Sequence, residues 1–302
     1  MGARLVVTNA QAGGSDEAVI EAAVAVLRQS GPVTVEASAA ADDLDRILAG
    51  RSDGLDAVVA IGGDGSLHAL VNALYRRGEL ASTVVGLVPL GTGNDFARGV
   101  GLSLEPAVAA RQHVNGAERA VDVVVDDRDT VIVNVVHVGI GADAAREARS
   151  WKQRLGKLGY VVGAVKAGVR SPGLSLQIQV DREHIAGSGK VIQLAVGNGA
   201  YVGGGTELTP GARTSDGLVD VVVSYADAPM ARVGYALRLR RGTHAQRDDV
   251  IAMRGSSVHV QGDEFWSNAD GELSGPYSSA SWWVRPAALR MVLPPGERRR
   301  PG

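Results

Sequence analysis

The chain has 302 residues, carries no cysteine and has a formal net charge of -2 at pH 7. This length suggests about two domains, and the lack of cysteine excludes disulfides, thiol catalysis and cysteine-ligated metals. The balanced charge argues against nucleic-acid binding. No apolar run reaches the ~20 residues that span a bilayer, and the N-terminus does not resemble a signal peptide. We therefore expect a cytoplasmic protein without a transmembrane segment, whose contact with a membrane is peripheral, at the inner face.

Strands and helices alternate over the first part of the chain. Apolar, β-rich runs at 4–8, 33–36, 56–61 and 84–88 predict four strands. Apolar residues at helical spacing predict a helix after Ser15, its expected N-cap, and another around Leu44. Such alternation predicts a parallel sheet with right-handed crossovers.

A glycine-rich loop follows the third predicted strand. It reads Gly62, Gly63, Asp64, Gly65 and Ser66, and an amphipathic helix pattern comes directly after it. Glycines let a ligand approach the backbone closely, and the N–H groups of such a turn suit a phosphate. We expect Ser66 to serve both as N-cap and as a phosphate contact. The alternative is a plain strand-to-helix turn.

A second such loop follows the fourth predicted strand, in the run PLGTGNDFAR. Thr92 and Asn94 can hydrogen-bond a phosphate or a ribose, and Asp95 is expected to cap a short helix. A turn built from residues that favour turns is the alternative. Because open α/β sheets bind ligands beyond the carboxyl ends of their strands, two loops at this edge favour a nucleotide site.

The pattern changes after residue 122 to shorter, alternating strands, which predict a β-rich second domain. The predicted strands are 123–126, 131–137, 174–180, 191–196, 218–224, 250–253, 257–261, 281–285 and 289–293, with helical stretches at 145–149, 155–169 and 230–241.

The motifs GGDGS, PLGTGNDFAR, GNGAYVGGGTELTP, SDGLVDVVV and NADGE occur in this order. Together they resemble the diacylglycerol kinase catalytic-domain family of lipid kinases, which includes the sphingosine kinases, over nearly the whole chain. The resemblance implies an N-terminal Rossmann-like α/β nucleotide-binding domain and a C-terminal antiparallel β-sandwich domain, with the active-site cleft between them. We expect the first at 1–122, joined by a returning segment at 289–302, and the lipid-substrate domain at 123–288.

The implied activity is an ATP- and Mg²⁺-dependent lipid kinase. It would transfer the γ-phosphoryl of ATP to a hydroxyl of diacylglycerol or a related lipid at a membrane surface, giving phosphatidic acid or a similar phospholipid. A kinase of a soluble acceptor, as in NAD kinases, and a catalytically silent nucleotide- or lipid-binding protein remain as alternatives. The acceptor lipid and the oligomeric state, including a homodimer, stay open.

The resemblance also assigns nucleotide contacts. The family's Asn-Pro-x-Ser-Gly loop falls on residues 9–13, where Ala10 and Ala12 depart from the pattern. Ser38 corresponds to a family threonine. The predicted contacts are Asn9, Gly13, Ser38, Gly62, Gly63, Asp64, Gly65, Ser66, Thr92 and Asn94.

Three acidic positions are predicted to take part in the chemistry. A carboxylate in a phosphate loop repels its ligand unless a cation or N–H groups offset its charge, so Asp64 is expected to help hold Mg²⁺ on the nucleotide, directly or through water. The alternative is a carboxylate that stabilises the turn by binding nearby backbone N–H groups. In NADGE, Asp270 and Glu272 are both candidates for the general base that accepts the proton of the acceptor hydroxyl. An acidic β-turn is the alternative there.

A loop at 213–218 resembles a Mg²⁺ site of bacterial family members. Arg213 and Leu218 would offer backbone carbonyl oxygens and Asp216 its carboxylate, with Asp220 four residues on. A hairpin turn before the next strand is the alternative.

Overall fold

The computed structural model describes residues 2–9, 14–39, 41–51, 55–139, 142, 172–187 and 189–294. The chain divides into two compact units, Met1–Asp122 with Ala287–Gly302, and Val123–Pro286. The helices predicted at 145–149 and 155–169, the predicted contact Gly13, and Ala10 and Ala12 lie outside the described residues. Within the described part of the chain, no helix has both the length and the apolar composition needed to cross a bilayer.

The first unit alternates strands and helices as predicted. Helix α1 begins one residue before the expected N-cap Ser15. The helix at 106–115 was not predicted. The elements are β1 Ala3–Asn9, α1 Gly14–Arg28, β2 Val33–Ser38, α2 Ala41–Ala49, β3 Leu55–Gly62, α3 Asp64–Arg76, β4 Val84–Pro89, α4 Asp95–Gly99, α5 Pro106–Asn115 and the start of β5 Ala117–Asp126.

The strands of the first unit form a parallel sheet in the order β4-β3-β1-β2. Arg290 and Met291, late in the chain, pair in parallel with β4 at its free edge. The register pairs Asn9 with Ser38 and Gly62 with Pro89, at the last residue of each strand. The carboxyl ends of all four strands therefore meet at one edge, where the order of connection reverses between β1 and β3.

The core of this unit explains why α5 escaped prediction. Strand residues such as Val6 and Ile61 pack against Leu27 of α1 and against Ala109 and Ala110 of α5. The buried residues of α5 are two alanines and one histidine, so its hydrophobic periodicity is weak.

His113 of α5 is the buried histidine, packed beside Gly86 of the sheet. Burial, and secondarily the positive charge of Arg4, lower the pKa of His113 from its ordinary 6.5 to about 4. The folded state therefore keeps His113 neutral between these values, where the unfolded state already binds a proton. Its contribution to stability is complete above pH 6.5 and is lost as the pH falls towards 4.

We expect acidification from about pH 8 to about pH 5 to lower the unfolding free energy by roughly 2 kcal/mol through His113. The pKa of His137 in the second unit is lowered by burial to about 4 as well, and adds to the effect. Urea unfolding of the wild type and His113→Leu at both pH values measures it. The variant should lose part of the pH dependence, and parallel shifts of the two proteins would contradict the assignment.

The second unit is built mainly from antiparallel strands, and the predicted fold class, an α/β domain followed by a β-sandwich domain, is confirmed. Its elements are the end of β5, β6 Val131–Ile132, β7 Val135–Gly139, β8 Leu176–Val180, β9 Glu183–His184, β10 Gln193–Gly197, β11 Tyr201–Val202, β12 Thr206–Glu207, β13 Val219–Ser224, α6 Pro229–Leu239, a short 3₁₀ helix His244–Gln246, β14 Val250–Gly255, β15 Ser257–Ala269 and β16 Glu272–Leu293.

Strands of the second unit follow the order β14-β13-β10-β7-β15-β16, with β8 beside β15. Many of their buried side chains, mainly valines, form a common core. Alternation along β16 buries Trp282 and leaves Trp283 41% exposed. The prediction of a single strand at 131–137 is wrong, because residues 133–134 are not in a strand and separate β6 from β7.

Candidate functional site

The first glycine loop joins β3 to α3 more tightly than predicted. The N-cap of α3 is Gly63, in an extended conformation with φ -92° and ψ -167°, and the helix begins at Asp64. The backbone N–H groups of Ser66 and Leu67 both donate to the Gly63 carbonyl oxygen. The prediction that Ser66 is the N-cap is therefore wrong, since Ser66 already lies in the first turn. Its hydroxyl points back to Gly62, where a Cβ would lie 2.2 Å from Oγ.

The second loop is closed by its own asparagine. Asn94 has φ 52°, and its Oδ1 accepts the Gly91 N–H at 3.0 Å while its Nδ2 donates to the Gly91 carbonyl at 2.7 Å. Asn94, rather than the predicted Asp95, is the N-cap residue of α4. Both polar ends of the Asn94 amide are thus directed at the loop backbone, and the side chain holds the turn in shape.

The two loops touch through their glycine backbones. A Cβ on Gly91 would lie 2.6 Å from the Cα of Gly63, and one on Gly63 would lie 3.0 Å from the Cα of Gly91. The Leu90 N–H also donates to the Gly62 carbonyl at 2.9 Å. Backbone atoms cannot move aside as a flexible side chain can, so glycine is required at both contact points.

Asp64 ties the loops together. Its Oδ2 accepts the N–H of Asp95 and its Oδ1 accepts the N–H of Phe96, each at 3.0 Å. Both donors are N–H groups at the start of α4, where a carboxylate is favourable. The alternative given for Asp64, a carboxylate that binds nearby backbone N–H groups, describes this geometry, although the donors belong to the other loop.

The remaining predicted nucleotide contacts lie along the same edge of the sheet. Asn9 and Ser38 are register partners at the ends of β1 and β2. Thr92 is exposed in the second loop. Gly65 is also exposed, and a Cβ built on it meets no atom within 4 Å. The structure therefore brings these residues to one edge, and it gives no internal reason for glycine at position 65.

In the second unit, Asp270 is held by backbone amides. It has φ 51°, and its carboxylate accepts the N–H groups of Val133 at 2.7 Å, Asn134 at 3.0 Å and Val135 at 3.1 Å. These amides belong to the short connection between β6 and β7 and to the first residue of β7. Sequence reasoning missed them, because they are contributed by backbone far away in the chain.

Glu272 lies differently, at the exposed start of β16. The turn before it is closed by Asn268, whose Oδ1 accepts the Gly271 N–H at 3.0 Å. Asn268 is buried and was not selected as a site residue, although it is the first residue of the NADGE motif. The motif thus places one carboxylate on backbone donors and presents the other to solvent.

The predicted magnesium loop is organised around an arginine. Arg254 of β14 forms an ion pair with Asp216, and its Nε donates to Asp220 at 3.3 Å. The Leu218 N–H donates to Asp216 Oδ1 at 3.3 Å. Burial raises the pKa of Asp220, and the attraction of Arg254 offsets part of that effect.

These contacts do not fit a bound metal. Oxygen ligands suit Mg²⁺, but a cation at Asp216 would face the guanidinium of Arg254. Across the described residues, no group of three histidine, aspartate or glutamate side chains is arranged to hold an ion.

The comparisons with known proteins agree with this architecture. A family model of the diacylglycerol kinase catalytic domain matches residues 3–125, and that of the YegS C-terminal NAD kinase β-sandwich-like domain matches residues 134–293. A "probable lipid kinase YegS-like" of Stenotrophomonas maltophilia is 32% identical over 84% of each chain. The chain belongs to the YegS-like lipid kinase family.

Another family member and a crystal structure extend the match to nearly full length. A "probable lipid kinase YegS-like" of Pseudomonas aeruginosa is 33% identical over 97% of this chain and 94% of its own. A crystal structure from Bacillus anthracis, described as a "putative diacylglycerol kinase", superposes with a TM-score of 0.79 over 97% of both chains. At 21% identity, that likeness supports the fold alone.

Proposed function

We propose that the protein is an ATP-dependent lipid kinase that transfers the γ-phosphoryl group to a hydroxyl of diacylglycerol or a related lipid. The observation that carries the proposal is the pair of glycine loops at the carboxyl edge of the parallel sheet, fastened to each other by Asp64 and by the Gly63–Gly91 contact. The family's relatives, named as lipid kinases, support the choice of acceptor class.

The loop pair suits the donor nucleotide. Its exposed positions, Gly65 and Thr92, offer backbone and hydroxyl groups to phosphate oxygens at a helix N-terminus. Phosphoryl transfer depends on positioning and electrostatic stabilisation more than on covalent help from the protein. A rigid loop pair is therefore the part of the chain that we assign to holding the phosphates.

Glu272 is our choice for the general base. The hydroxyl proton of the lipid passes to the Glu272 carboxylate while the lipid oxygen forms a bond to the γ-phosphorus. The bond from that phosphorus to the bridging oxygen of ADP breaks, and ADP leaves with the electron pair. Asp270 is less suited to this role because three backbone N–H groups already bind its carboxylate, and we assign it to positioning the turn that carries Glu272.

Magnesium enters this proposal with the substrate, as MgATP. The ion neutralises developing charge on the phosphate oxygens when it is bound. Asp64 stands in the loop nearest those phosphates in the proposed site, and its role beside the magnesium remains a prediction. We give the loop at residues 213–218, where Arg254 pairs with Asp216, no role in binding this magnesium ion.

The proposal is tested by incubating the purified protein with MgATP and mixed micelles of diacylglycerol or a sphingoid base, with NAD as a parallel acceptor. Phosphorylated lipid is the expected product. The NAD arm is needed because the second domain is described as NAD kinase-like in fold. Phosphorylation of NAD alone would overturn the proposal, and nucleotide binding without turnover on any acceptor would favour a silent binding protein.

A substitution at Gly65 tests the donor site separately. Because a Cβ there meets no protein atom, Gly65→Ala should fold and melt at or slightly above the wild-type temperature, since alanine favours a helix by about 0.5–1 kcal/mol. The methyl group would however stand where we place the phosphates, and KM for ATP should rise about tenfold or more. Isothermal titration with a non-hydrolysable ATP analogue measures the binding loss.

Gly50→Ala is the matched control, since it adds a Cβ with only ordinary contacts after α2. It should leave both stability and nucleotide affinity close to the wild type. If Gly65→Ala bound the ATP analogue with unchanged affinity, the nucleotide phosphates could not lie at this loop as we propose.

A further inference from the structure

Helix α6 is anchored to the second unit by one face only. Tyr235 is buried there, stacks edge-on against His244 with ring centroids 5.5 Å apart, and donates its hydroxyl to Gln193 at 3.2 Å. Ala231 and Leu239 pack against the same small core. These contacts fix which side of the helix faces outward.

The outward side is apolar, which is unusual for a surface helix. Met230, Val233 and Leu237 follow one another at helical spacing, and their exposed fractions are 80%, 50% and 55%. They are three of the six large apolar side chains that are exposed among the described residues. Exposed apolar groups gathered on one element mark an interaction surface, whereas single ones are ordinary.

Positive charge is concentrated at the C-terminal end of this apolar stripe, which we define as Met230, Val233 and Leu237. Arg238, Arg240 and Arg241 are exposed at the C-terminal end of the helix. Residues 227 to 249 contain five arginines against three aspartates, and one of those aspartates, Asp249, is paired with Arg247. An apolar stripe bordered by arginines has the composition of a helix that lies in the interface of an anionic membrane.

We propose that the apolar stripe of α6, with Arg238, Arg240 and Arg241, docks the protein on an anionic lipid bilayer. The apolar side chains enter the boundary between headgroups and acyl chains, and the guanidinium groups meet phosphate headgroups. The inference draws on the proposed function only for the reason that the protein visits a membrane. An anionic bilayer is the occupant that we infer, because its phosphate headgroups match the exposed arginines and its acyl chains match the apolar stripe.

Vesicle co-sedimentation tests the docking without any activity. The full-length protein should bind vesicles containing about 30% phosphatidylglycerol in phosphatidylcholine, and bind pure phosphatidylcholine far more weakly. Arg240→Glu with Arg241→Glu should lower the partition coefficient on anionic vesicles by about 30-fold or more, since each arginine contributes roughly fivefold. Met230→Ser with Leu237→Ser should lower it by about tenfold or more on the same vesicles.

Leu104→Ser is the matched control, because Leu104 is an exposed leucine, 39% exposed, outside the apolar stripe. It should bind vesicles as the wild type does. Equal binding of all variants would overturn the proposal. A concentration-dependent dimer that the stripe variants abolish would assign the stripe to a second copy, and a clear loss of thermal stability in Met230→Ser with Leu237→Ser would show that the protein itself covers it.

Activity then separates this inference from the proposed function. With a short-chain, monomeric diacylglycerol as acceptor, the α6 variants should keep wild-type turnover, while turnover on anionic vesicles falls with binding. Vesicle binding without transfer to any lipid would leave the docking surface intact and refute the kinase assignment. Transfer to monomeric lipid without vesicle binding would support the kinase assignment and refute the docking surface.

Discussion

Replacing Glu272 by glutamine is expected to lower kcat for lipid phosphorylation by about 10³-fold, the usual weight of a general base. Glutamine keeps the size of the side chain but cannot take the hydroxyl proton. Because Glu272 is exposed at the start of β16, the variant should melt at the wild-type temperature and bind MgATP normally. Steady-state kinetics with a thermal melt and a nucleotide titration measure all three quantities.

Asp270→Asn separates the two carboxylates of the motif. Three backbone amides donate to the Asp270 carboxylate, and an asparagine would turn its own N–H₂ group towards some of them. Hydrogen bonds to a charged acceptor would be lost, each worth about 1.5–3 kcal/mol. The melting temperature should fall, unlike that of Glu272→Gln. The assignment of the base would be wrong if Asp270→Asn kept wild-type stability and lost activity through kcat alone, while Glu272→Gln stayed active.

Asp64→Asn is expected to lower kcat/KM for MgATP by about 100-fold or more. The carboxylate accepts two N–H groups of the second loop, and an amide can accept only one of them while turning its own N–H₂ towards the other. The loops would then lose one of the contacts that hold them together, and misplacement of bound phosphates by about 1 Å is costly for transfer.

Glu36→Gln serves as the control for Asp64→Asn, since Glu36 is an exposed carboxylate of β2 in the same unit. This substitution also removes one negative charge, but at a position outside the two glycine loops, and it should leave the kinetics unchanged. Hydrogen–deuterium exchange should show faster exchange at the amides of Asp95 and Phe96 in Asp64→Asn alone. Full activity of that variant would contradict the role given to the loop pair.

The sequence predicted parallel pairing of the strands in the first unit because its strands and helices carry clear, different periods. It also predicted that both glycine loops follow strand ends. It did not predict the backbone contact between Gly63 and Gly91, because the sequence of either loop does not show how close the other loop lies. The N-cap expected at Ser66 was wrong because the helix begins three residues earlier than expected, at Asp64, a carboxylate held by the second loop.

The contacts of these carboxylates that the sequence did not predict share one physical cause, which is a partner distant in the chain. Asp64 binds amides 31 and 32 residues away, and Asp270 binds amides 135 to 137 residues away. Arg254 reaches Asp216 from another strand and fills the place in which a metal was expected. Local residue types indicated that these carboxylates matter, but only tertiary contacts distinguish a metal ligand or a base from a carboxylate that holds backbone.

Transfer of label from γ-³²P-ATP into a total bacterial lipid extract tests the central claim most directly, with the product identified by mass spectrometry. With the wild type, we expect label in one phosphorylated lipid that carries a free hydroxyl before the reaction. The label should be nearly absent with Glu272→Gln and with Asp64→Asn, and unchanged with Glu36→Gln. Label that stays in water-soluble products, or that enters lipid equally with all four proteins, would contradict it.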